Sequence, residues 1–79
     1  MSVTGIPTAP AAGSTVCLTV TGTTGPLVAK GGRGITVVSV AQDQNRPATW
    51  TVCVVVGFGR GDVHLESGGA TKSISLRGR

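Results

Sequence analysis

Ala48-Thr49-Trp50-Thr51-Val52-Cys53-Val54-Val55-Val56-Gly57-Phe58 is the stretch that decides the fold. Trp50, Val52, Val54, Val56 and Phe58 share one parity, and Thr51, Cys53 and Val55 share the other. Side chains along a strand alternate between its two faces, so one side of this segment is a continuous apolar stripe. Its β-branched residues favour extended backbone, because two heavy atoms on Cβ crowd the preceding turn of a helix. Apolar residues on both parities predict a central strand covered on both sides. Gly57 and Gly59 then permit a bulge or a sharp bend.

The same period recurs on either side of this strand. Val16, Leu18 and Val20 alternate with Cys17, Thr19 and Thr21, which predicts a half-buried strand over 15–21. The turn residues Gly22-Thr23-Thr24-Gly25-Pro26 lead to a short strand over 27–30, and Gly31-Gly32-Arg33-Gly34 to another over 35–41. A polar loop, 42–47, precedes the deciding stretch. Beyond it, residues 63–67 and 71–77 read as strands around the loop Gly68-Gly69-Ala70. No segment sustains apolar residues at i, i+3 and i+4, so no helix is expected. The fold class is therefore all-β: a small antiparallel β-sandwich or β-barrel of about six strands with an extended N-terminal arm.

Residues 1–13 differ in composition from the rest. Pro7, Pro10, Ala9, Ala11, Ala12, Gly5 and Gly13 disfavour helix and leave few backbone donors for a ladder. The expected division is an extended Pro/Ala-rich arm over 1–13 and a single β domain over 14–79. The arm would lie along a neighbour or along its own sheet, with Val3, Ile6, Pro7 and Pro10 as its contacts.

The chain has 79 residues, and one so short buries only about 60% of the surface its unfolded form exposes. A disulfide, a metal or association with neighbours is the usual remedy for such a thin core. One Trp, one Phe and no Tyr leave little with which to stack a base or a sugar ring. Seven Lys and Arg face three acids, for a formal charge of +4, which favours an acidic partner. If consecutive strands run antiparallel, the 30–34 loop, the 59–62 loop and the C-terminus meet at one end. Lys30, Arg33, Arg60, Arg77 and Arg79 would then form a basic, partner-binding end. Such a cluster fits non-specific contact with phosphates but not sequence-specific reading.

Cys17 and Cys53 share the parity opposite the apolar stripes of their strands, so they are candidates for a disulfide. Such a bond would contribute roughly 2–4 kcal/mol. The start, Met1-Ser2-Val3-Thr4-Gly5-Ile6-Pro7, has neither the basic nor the apolar region of a secretory signal. A reduced, buried thiol pair is therefore the expectation.

Nothing in the spacing predicts an enzyme, a cofactor or a metal. His64, the sole histidine, alternates with Val63 and Leu65 and should point to solvent. Asp43 and Asp62 are expected at opposite ends, too far apart for paired-carboxylate chemistry. Arg60-Gly61-Asp62 matches an adhesion tripeptide but reads more simply as a turn. The glycines around 57–61 and 31–34 lack the helix and the Gly-Lys-Ser/Thr sequence that phosphate loops require.

The expectation for function is a structural or accessory protein of a larger assembly, acting through protein–protein contacts. In general character the chain resembles small bacteriophage proteins that decorate or cement capsids or join head to tail. That implies a virion component assembled in a host cytoplasm. Its partners would be a major shell protein and its own copies in a homo-oligomer, with no membrane involved. The alternative is a small basic barrel or immunoglobulin-like module that binds nucleic acid or another acidic ligand.

Overall fold

Seven strands and no helix make up the protein in a computed structural model that describes residues 1–79. They are β1 (Ser2–Thr4), β2 (Thr15–Thr21), β3 (Val28–Gly31), β4 (Ile35–Gln42), β5 (Trp50–Val56), β6 (Gly59–Ser67) and β7 (Ala70–Gly78). Each of the strands read from the periodicity is present, and β1 is additional. One sheet has the order β1-β2-β5-β4 and the other β3-β6-β7. Every neighbouring pair is antiparallel. The two sheets pack face to face, and their order is that of a constant-type immunoglobulin sandwich, ABED over CFG.

The core is aliphatic and comes from the predicted parities. Val16, Leu18 and Val20 of β2 join Val52, Val54 and Val56 of β5 and Ile35 of β4. Opposite them stand Val63 and Leu65 of β6, Ile74 and Leu76 of β7, and Leu27 just before β3. Burying each such side chain contributes about 1.5–3 kcal/mol.

The 48–58 stretch departs from its expected form in two ways. β5 is central, between β2 and β4, but nothing covers its outer face: Thr51 is exposed and Cys53 and Val55 are half-buried. Two layers exhaust a chain of this length, so no third layer exists to cover that face. Phe58 does not continue the core stripe and is 87% exposed. The strand ends at Val56, and Gly57-Phe58 carries the chain across to the second sheet, which breaks the parity.

Of the two placements expected for the 1–13 arm, its start takes the one along its own sheet. Ser2–Thr4 adds an edge strand to β2, with Val3 opposite Val20. The segment then crosses to the other sheet. The Arg79 N–H donates to the Pro10 carbonyl (2.9 Å) and the Ala12 N–H to the Arg79 carbonyl (2.8 Å). Two bonds flanking Ala11 and converging on one residue are the pattern of a parallel bridge. Proline lacks a donor but keeps its acceptor, so Pro10 takes part without contributing an N–H. The arm thus ties one edge of each sheet together.

Two glycine sites shape the ends. The β6–β7 hairpin pairs Ser67 with Ala70 around Gly68 (φ 55°) and Gly69 (φ 87°), the signature of a two-residue type I′ turn. At the opposite end, a Cβ on Gly78 would overlap the carbonyl oxygen of Gly57. Only a residue without a side chain lets β7 pass that close to the crossover.

Candidate functional site: the arginine end

Successive loops lie at alternating ends of the sandwich, whichever sheets they join. Contacts confirm the grouping. At one end the Gly32 N–H donates to the Asp62 carbonyl (2.6 Å), the Gly57 N–H to the Gly34 carbonyl (2.7 Å), and Arg79 pairs with the 10–12 segment. At the other end Thr23 N–H reaches the Ala48 carbonyl (3.3 Å). There too the Ser67 hydroxyl accepts from Thr24 N–H (3.3 Å) and donates to the Gly25 carbonyl (3.2 Å).

Arg33, Arg60, Arg77 and Arg79 therefore gather at the first end, and all four are exposed. Arg60 and Arg77 are direct cross-strand partners. Lys30 sits further along: it pairs with His64, about 13 Å from the Arg60 rung at roughly 3.3 Å per residue. It lies on the outer face of the three-stranded sheet rather than at its end. The expected turn over 59–62 is instead the start of β6, because β7 pairs along its whole length and holds Gly59 opposite Gly78. Arg60-Gly61-Asp62 is thus part of a strand, and the Asp62 carboxylate accepts a hydrogen bond from Ser75 (3.0 Å).

Sequence periodicity missed Phe58, whose parity placed it in the core. It lines a cavity of about 640 Å³ with Thr8, Ala9, Arg77 and Arg79. A neighbouring hollow of about 430 Å³ adds Pro7, Arg60 and Ser75. The only clue in the sequence was Gly57 and Gly59 on either side of the ring, a spacing that frees the backbone to turn it outward.

The residues named for arm contacts divide between roles. Val3 packs against the core, Pro10 binds Arg79, Pro7 lines the smaller hollow, and Ile6 is 45% exposed.

The cysteine expectation is overturned. Cys17 and Cys53 are direct partners in the β2–β5 ladder and form a disulfide, with Cα atoms 4.0 Å apart. They lie on the outer face of one sheet, Cys17 exposed and Cys53 half-buried, so they are neither free nor buried. Strand pairing determined this: parity alone cannot say which strands are neighbours. Immunoglobulin domains of antibodies instead place their disulfide between the two sheets.

One polar pair also went unforeseen. His64 Nδ1 lies 2.9 Å from the Ser73 hydroxyl, across the β6–β7 ladder. Nucleophilic catalysis needs the base oriented by a third group, and the imidazole has no carboxylate bonded to its other nitrogen. The pair reads as a cross-strand surface hydrogen bond. Asp43 accepts from the Asn45 N–H (2.9 Å) in the β4–β5 loop, remote from Asp62. No group of three His, Cys, Asp or Glu side chains stands close enough to hold a metal ion.

No known protein family, curated protein or solved structure matches the chain.

Proposed function

We propose that the protein is a structural or accessory component of a larger assembly, docking through its arginine end onto an acidic protein surface. The observation that carries this reading is the Arg60–Arg77 pair flanked by exposed Phe58 and Arg79. Like charges directly opposite each other on an antiparallel pair destabilise it by some tenths of a kcal/mol. A partner that supplies carboxylates removes that cost and gains bidentate hydrogen bonds to the guanidinium groups. Phe58 adds an apolar anchor, and Phe and Arg are among the residues enriched at the centres of protein interfaces.

A protein surface fits this end better than nucleic acid. Single-strand binders combine a long charged track with several stacking rings, whereas this end is compact and has one ring. A bacteriophage virion is the assembly we propose. The support for it is the combination of a minimal β core, a clamped N-terminal segment and a docking end on a rigid body. The docking test compares binding of poly-L-glutamate and a dT20 oligonucleotide to the whole chain at low and physiological salt. Tighter binding of poly-L-glutamate, weakened in Arg60→Ser/Arg77→Ser and in Phe58→Ser, supports the reading. Preference for dT20 with a steep salt slope replaces it with nucleic-acid binding. The setting is tested by density-gradient purification of particles from the source culture: absence of the chain from the particle fraction would overturn it.

A further inference from the structure

Every charged side chain lies outside the four-stranded sheet. Lys30 is on β3, Arg33 in the β3–β4 turn, Asp43 and Arg46 in the β4–β5 loop. Arg60, Asp62 and Glu66 are on β6, Lys72 and Arg77 on β7, and Arg79 follows β7. β1, β2, β4 and β5 contain none. Their outward parity presents hydroxyls, small apolar groups and the disulfide in aligned rows. Thr4, Thr19, Thr51 and Ala41 form one row, and Cys17, Cys53 and Ser39 the next.

We infer that this outer face is where a second copy of the chain docks, sheet against sheet. Charge identifies the occupant. Each copy carries +4, so copies repel through most approaches. The four-stranded face is the one broad surface two copies can bring together without opposing like charges or desolvating a charge. An acidic partner gains nothing there, because the face offers no cation. The contact would be isologous about a two-fold axis, with the same patch on both sides.

Size limits its strength. Strands of three, seven, eight and seven residues, about 4.8 Å apart with a rise of about 3.3 Å per residue, give a footprint of roughly 400 Å² per copy before side-chain relief is added. The pair then buries about 1,000 Å² in total, the low end of specific interfaces. Such a contact is weak in dilute solution and gains effect when a scaffold holds many copies close together. The inference does not depend on the arginine end.

Sedimentation equilibrium of the oxidised chain, from micromolar up to roughly 1 mM, tests it. The expected result is a reversible monomer–dimer equilibrium that Thr51→Arg weakens by at least about tenfold, while Thr71→Arg on the other sheet leaves it in place. Thr19→Lys provides a second disruption should Thr51→Arg fail to fold, as judged by circular dichroism. Concentration-dependent amide shifts of the unsubstituted chain locate the contact without any variant, and they should centre on Thr19, Thr51 and Cys53. A chain that stays monomeric throughout overturns the inference. So does a dimer that survives both face variants, or one lost only in Val38→Lys on the β4 edge, which would indicate edge-to-edge pairing.

Discussion

Reducing the Cys17–Cys53 bond should remove a large part of the stability of this protein. The bond closes a loop with a sequence separation of 36. Chain-entropy bookkeeping for a loop of that length assigns it about 3.8 kcal/mol at 25 °C, through the freedom it denies the unfolded chain. A domain of this size is stable by only about 4–12 kcal/mol at 0.05–0.15 kcal/mol per residue. Loss of the bond should therefore remove a third or more of the total and lower Tm by about 15–30 °C. Cys17 is exposed, so a reductant reaches the bond in the folded protein. The assay is urea unfolding followed by the fluorescence of Trp50, the single Trp, in oxidised, reduced and Cys17→Ser/Cys53→Ser samples. Reduced protein and double variant should unfold together at a clearly lower midpoint. Coincident midpoints for oxidised and reduced protein, after intact mass has confirmed both states, would refute the loop-closure reasoning.

Four further outcomes follow from packing and charge. Leu18 is fully buried, so Leu18→Ala should cost about 2–5 kcal/mol in urea unfolding. Gly78→Ala forces a Cβ onto the Gly57 carbonyl; it should destabilise by about 2 kcal/mol or more, with faster hydrogen exchange at Gly57 and Arg79 as the local readout. Arg60→Thr relieves the like-charge pair with Arg77 and should raise stability by some tenths of a kcal/mol. The same repulsion predicts that moderate salt stabilises the unsubstituted protein and that the gain shrinks in Arg60→Thr.

Local alternation by itself determines much of this molecule. Val16, Leu18, Val20, Val52, Val54, Val56, Val63, Leu65, Ile74 and Leu76 all face the core as their parity requires, because the two-residue repeat of a strand is a property of the backbone itself. Strand locations are legible for the same reason. Partnership between strands is not, since it joins residues far apart in the chain and periodicity carries no record of it. Pairing of β2 with β5 made Cys17 and Cys53 neighbours, and pairing of β1 with β2 laid the start of the arm along its own sheet. Parity misplaced Phe58 because two glycines allow either a bulge or a corner, and only the packing of one sheet over the other chose the corner. The arginine end and the uncharged face likewise exist only once loops from distant segments are stacked: charges are written one by one along the chain, but a surface is an arrangement of them in space.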